Sequence, residues 1–117
     1  MARYFKEGEF ACKCCGIEVI DKHFLEKLDE ARFMAGVPFV ITSGYRCRKH
    51  NAEVGGASSS AHRLGKAADI KCTNSRNRFL IIDALIKAGF KRIGIGKDFI
   101  HADLNETADQ VVMWVYD

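Results

Sequence analysis

Four residues of this sequence are suited by type and spacing to hold a divalent cation: His62, Asp69, His101 and Asp103. The stretch "SSSAHRLGKAADIKC", Ser58 to Cys72, passes from loop-like composition to an apolar run, with His62 and Asp69 at the two edges of that change. In "DFIHADL" a period of two puts Phe99, His101 and Asp103 on one strand face and Ile100, Ala102 and Leu104 on the other. The polar pair therefore faces a site and the apolar set faces the core. Two imidazoles and one carboxylate are a known ligand set for catalytic zinc, which leaves its fourth position to water. The ion draws the pKa of that water toward ~7. A carboxylate inside "AADI" is reasonable beside a cation, because burial without one favours the protonated form. Each residue also has a plainer reading. A single histidine near a strand is more often hydrogen-bonded structure than ligand, and an aspartate at a strand end is usually a cap or turn former.

The segments that must carry these residues can be read from periodicity and punctuation. "DKHFLEKLDEARFMAG" opens on Asp21, an N-cap type, and closes on Gly36, a C-cap type. Within it Phe24, Leu25, Leu28, Ala31 and Arg32, then Met34, form a helical stripe. "VPFVITSG" places a strand at Val40, Ile41 and Thr42, entered from Pro38. "YRCRKHNAEVGG" predicts one or two helical turns, and "GGASSSA" a loop. "KAADIKC" reads as a strand. "SRNRFLIIDALIKAGF" reads as a helix capped by Ser75 and stopped at Gly89. "RIGIG", "DFIHADL" and "VVMWVY" read as three short strands. The expected fold is α+β, with two main helices packed on a mostly antiparallel sheet. Trp114 is expected as a core or sheet-packing anchor.

The 117 residues suit one domain, and an apolar fraction of 48% supports a real core. The formal charge of +3 is too small to argue for a nucleic acid partner. No apolar run is long enough to span a bilayer, and "MARYFKEGEFACKCCG" lacks the apolar segment of a secretory signal. Five cysteines, Cys12, Cys14, Cys15, Cys47 and Cys72, are an odd number for a disulfide framework. "CKCC" lacks the C-x-x-C spacing of common metal sites. Small buried thiols are the favoured reading, with a second zinc site as the alternative and Cys47 as its extra partner.

"SAHRLGKAADI" resembles the S-x-H-x-x-G-x-A-x-D signature of the zinc D-Ala-D-Ala carboxypeptidase family, matching at Ser60, His62, Gly65, Ala67 and Asp69. "TSGYRCRKHN" is similar to that family's S-G-Y-R segment at Ser43, Gly44, Tyr45 and Arg46, and "FIHADL" to its final H-x-D or H-x-H element. "FACKCCG" and the closing "WVY" look like the short, phage endolysin-like branch. The resemblance spans nearly the whole chain. It implies a hedgehog/DD-peptidase-like fold, with residues 1–117 forming a single zinc peptidase domain. It implies zinc bound by His62, Asp69 and His101, with Asp98, three positions before the last histidine, as catalytic base. It gives Arg46 the scissile carbonyl and the tetrahedral intermediate. Ser60 and Tyr45 would contact substrate or support the metal shell, and Asp103 would hold a ligand histidine by its other ring nitrogen. Asp98 lies at an odd offset from His101, so a bend or bulge at "GIGKDF" is expected to turn it inward.

The function so implied is zinc-dependent hydrolysis of a peptide bond in bacterial peptidoglycan. The bond is either L-Ala-D-Glu, as in phage lysins, or the D-Ala-D-Ala terminus. The partner would be the stem peptide, with no nucleic acid and no membrane, and the chain a monomer. It would be cytoplasmic until released to the cell wall. A rival reading from another class is a non-catalytic zinc-binding module, such as a phage structural component or a hedgehog-like binding domain.

Overall fold

A computed structural model describes residues 3–55 and 60–116. The elements run α1 (Lys22–Ala35), β1 (Ile41–Ser43), α2 (Arg48–Glu53), a 3-10 turn (Ala61–Leu64), β2 (Ala67–Lys71), α3 (Ser75–Ala88), β3 (Arg92–Ile95), β4 (Phe99–Asp103) and β5 (Val112–Val115). The fold is α+β, as the sequence patterning implied. Residues 56–59 of the expected "GGASSSA" loop lie outside the described residues.

Helix boundaries follow capping chemistry. The Asp21 carboxylate accepts a hydrogen bond from the Phe24 N–H at 2.9 Å, and Gly36 closes α1 in the left-handed conformation. The cap of α3 is Asn74 and not Ser75. Asn74 has the extended backbone a cap needs, and its side chain accepts from the Asn77 N–H at 2.8 Å. Along α1 the buried residues are Phe24, Leu28, Ala31 and Ala35, while Met34 is exposed. The helical stripe therefore continues through Ala35 rather than Met34, as a spacing of four from Ala31 requires.

One five-stranded sheet has the order β1-β2-β4-β3-β5. β1–β2, β2–β4 and β4–β3 pair antiparallel, and β3–β5 pair parallel. The two long helices cover one face. Phe24, Leu28, Ala31, Ile81 and Leu85 meet Ala68, Ile70, Ile93, Ile100 and Ala102 in a single core. The alternation expected for "DFIHADL" holds: Ile100 and Ala102 join the core, and Phe99, His101 and Asp103 line the opposite face. Because one face is buried, a one-residue slip would turn every ligand inward, so the register is strongly specified. That register sets Asp69 directly opposite His101 and Ala67 opposite Asp103.

Candidate metal centre and active site

The uncovered sheet face carries a cavity of about 530 Å³. His62, Asp69 and His101 lie together on its wall, each offering a ligand atom within 4.8 Å of the other two. They come from different elements. Asp69 and His101 are neighbours across the β2–β4 ladder. His62 sits on the 3-10 turn, which periodicity alone did not reveal. Ser60 caps that turn, its Oγ accepting from the His62 N–H at 3.3 Å. Gly65 ends it at φ 71°, and a side chain there would strike the Val19–Ile20 backbone.

The ring of His62 is oriented by its main-chain contact. Nδ1 lies 2.7 Å from the Gly44 carbonyl, so Nδ1 carries the proton and donates. In the neutral ring Nε2 is then an acceptor, and it faces Asp69 Oδ1 at 3.4 Å. Two lone-pair-bearing atoms turned toward each other suit a shared cation. His101 presents Nδ1 to Asp69 Oδ1 at 2.9 Å and Nε2 to Asp103 Oδ2 at 2.7 Å. Asp103 is itself anchored, its Oδ1 accepting from Arg92 Nε at 2.8 Å and from the Asn105 N–H at 3.0 Å. A buried carboxylate holding the far nitrogen of a ligand imidazole is the usual support for a histidine-bound metal. The donor set and its orientation thus fit zinc.

The charges are mutually dependent. Burial would raise the Asp69 carboxyl, but its contacts with the two imidazoles, led by the hydrogen bond from His101, outweigh it and hold Asp69 below the usual carboxylate range. Burial would likewise lower the His101 imidazole, but its bonds to Asp103 and Asp69 hold it above its ordinary value. Asp103 is kept low against burial by His101, the Asn105 N–H and Arg92. Arg46 adds a further positive charge, its Nη2 lying 3.6 Å from Asp69 Oδ2.

Arg46 enters the cavity wall from the segment before α2. Its Nε donates to Ser43 Oγ at 3.2 Å and its Nη1 to Asn51 Oδ1 at 3.5 Å. Asn51 is buried in α2. Its contact with Arg46 appears only once the helix folds back on the preceding segment. Ser60 also lines the cavity.

Two expected site residues lie elsewhere. Tyr45 is half-buried, its N–H bonded to the Phe10 carbonyl at 2.8 Å, and it is not among the cavity-lining residues. Asp98 is exposed in the β3–β4 turn, where the Gly96 N–H donates to the Phe99 carbonyl at 2.9 Å. The β3–β4 pairing runs in unbroken register from Ile95↔Ile100 to Ile93↔Ala102, so the turn itself replaces the expected bulge. Asp98 lines a neighbouring depression with Thr42, Lys71, Asp69 and Phe99, and the last two also line the main cavity. Its carboxylate makes no hydrogen bond or ion pair among the described residues, whereas both oxygens of Asp103 are engaged.

Trp114 and Tyr116 are the aromatic residues whose place sequence reasoning missed. Both line the cavity, and the Trp114 ring lies 5.6 Å from that of His101. Gly94 makes this possible. It pairs with Trp114 across the β3–β5 ladder, and a Cβ there would lie 2.7 Å from Trp114 Nε1 and from Tyr116 Cε2. Trp114 therefore walls the site rather than anchoring the core.

Residues 3–103 match the family model described as Peptidase M15. No curated protein matches the chain.

Proposed function

The chain belongs to the peptidase M15 family, a family of zinc metallopeptidases, and on that premise we propose that it hydrolyses a peptide bond in bacterial peptidoglycan. The observation that carries this reading is the convergence of His62, Asp69 and His101 beside Arg46 in one cavity. Zinc, when bound by those three residues, supplies Lewis acidity that acidifies water and polarises a carbonyl.

The chain's own side chains supply the remainder. Arg46, steadied by Ser43 and Asn51, holds the oxyanion that develops on the scissile carbonyl. Asp98 accepts the proton of the attacking water and returns it to the leaving amine. Its unengaged carboxylate must swing over the edge shared with Asp69 and Phe99 when substrate binds, since catalytic contacts tighten in the substrate complex. Asp103 keeps His101 oriented. Phe99, Trp114 and Tyr116 form an aromatic wall suited to the small apolar side chains of a stem peptide, and Ser60 offers a polar contact at the rim.

Two bonds fit this chemistry, an internal L-Ala-D-Glu bond and the D-Ala-D-Ala terminus. The resemblance of "FACKCCG" and "WVY" to the phage endolysin-like branch favours the internal bond, as in a lysin. Zymography on purified cell walls, with and without a chelator, tests the enzyme reading. Clearing that needs zinc supports it. No clearing in zinc-replete buffer at any pH supports a zinc-binding module without catalysis. Mass spectrometry of the digested muropeptides then names the bond: a freed stem peptide marks an endopeptidase, and loss of one alanine marks a carboxypeptidase.

A further inference from the structure

We propose that Cys12, Cys14 and Cys47, with Cys15 of the same loop as the candidate fourth donor, bind a second zinc ion, structural in role and separate from the histidine–aspartate centre. The sulfur atoms of Cys12, Cys14 and Cys47 lie within 4.8 Å of one another. Cys14 and Cys47 Sγ are 3.8 Å apart. A tetrahedral thiolate site with Zn–S near 2.3 Å has sulfur–sulfur edges of about 3.8 Å. That separation is far beyond a disulfide bond, and all five cysteines are free thiols. Cys15 follows Cys14 in the same loop and is the candidate for the fourth position, outside the three sulfur atoms that converge.

The local backbone is shaped for such a site. A tight turn, with the Cys12 N–H donating to the Ile17 carbonyl at 2.7 Å and the Gly16 N–H to the Cys12 carbonyl at 2.8 Å, gathers three cysteines into one loop. Gly16 takes φ 76° to close it. Main-chain N–H groups already point at sulfur: Cys47 N to Cys12 Sγ at 3.5 Å and His50 N to Cys47 Sγ at 3.4 Å. Such bonds stabilise thiolate charge around a metal. The plainer reading of buried inert thiols fits Cys72, which lies apart from the cluster, but Cys14 and Cys15 are exposed. With Cys15 as the fourth donor the coordination sphere would be closed to water, so this ion would perform no hydrolysis. Each thiol gives its proton to solvent as the ion enters.

The position of the cluster gives it a purpose. Cys47 directly follows Arg46 and caps α2. The same N-terminal segment bonds Tyr45 through Phe10, and Phe10 packs so tightly on Gly44 that a Cβ there would lie 2.6 Å from the Phe10 Cα. Gly44 carries the carbonyl that orients His62. An ion at the cysteines therefore clamps the N-terminal loop to the segment that presents Arg46.

The test uses the full chain, purified under reducing conditions, stripped of metal and reloaded with cobalt(II). A thiolate-to-cobalt charge-transfer absorption is expected, which two histidines and an aspartate cannot produce. Metal analysis of the zinc-loaded chain should find one equivalent more than the His62→Ala variant, and Cys14→Ser should lose the sulfur band while keeping the other equivalent. Absence of the charge-transfer band in the intact chain overturns the proposal, as does a Cys14–Cys47 disulfide or a single metal lost entirely with His62→Ala. Because the band is read from the intact chain, misfolding of a cysteine variant does not decide the matter. Because it reports sulfur alone, it is independent of whether the peptidase reading stands.

Discussion

In the proposed mechanism Asp98 and Asp103 divide two roles that the sequence places only five residues apart. Asp103 is tied to His101 and Arg92, and Asp98 is unengaged at the turn. Asp98→Ala is therefore expected to retain zinc and lower kcat by about 10²–10⁴-fold, the usual worth of a positioned base. Asp103→Asn is expected to weaken zinc affinity by about 10–100-fold. Metal analysis beside turnover separates them, and an active Asp98→Ala enzyme would move the base elsewhere. A second expectation concerns the metal-free chain. Asp69 and Asp103 are held low, so their contribution to stability is present above their unfolded pKa near ~3.9 and is lost as pH falls through the folded values. His101 is held high, so its contribution is complete below ~6.5 and is lost as pH rises through its folded value. Urea midpoints of metal-free protein should thus peak in the mildly acidic range between those limits. His101→Asn should flatten the alkaline side; an unchanged alkaline limb would show that His101 is not charged there.

Among the elements, β5 matters more to the site than its edge position suggests. Gly94 lets Trp114 and Tyr116 lie across the sheet beside His101. Gly94→Ala should displace that aromatic wall, raising KM while leaving zinc content unchanged; an unaltered KM would mean the wall does not touch substrate. The helices serve the core, and capping is local chemistry, so Asp21, Gly36 and Gly89 were legible as helix ends, while the α3 cap fell one residue earlier than expected, at Asn74. Removing the Asp21 carboxylate with Asp21→Ala should cost about 1 kcal/mol in urea unfolding without altering metal content. The 3-10 turn was not legible. Its four residues are too few to show a period, and its shape depends on Gly65 fitting against the Val19–Ile20 backbone from a distant part of the chain.

In the molecule as a whole, the histidine–aspartate centre joins the 3-10 turn to β2 and β4 across the uncovered sheet face. An ion binding only the folded arrangement stabilises it by about 2.7 kcal/mol at 100 times its Kd. Returning zinc to the stripped chain should raise the urea midpoint, and His62→Ala should remove part of that gain; an equal gain in the variant would place the effect at the cysteines alone. The sequence by itself determined the α+β class, the two long helices, and the alternation that sends His101 and Asp103 away from the core. These follow from periods of 3.6 and 2 and from caps, all readable within a few residues. Only the tertiary structure decided that Asn51 steadies Arg46, that Trp114 walls the cavity, that Asp98 stands outside it at the turn, and that Cys47 meets the "CKCC" loop. Each of those facts depends on strand register or on contacts between segments tens of residues apart, or on how a turn directs one side chain. Local patterning carries no record of such distances.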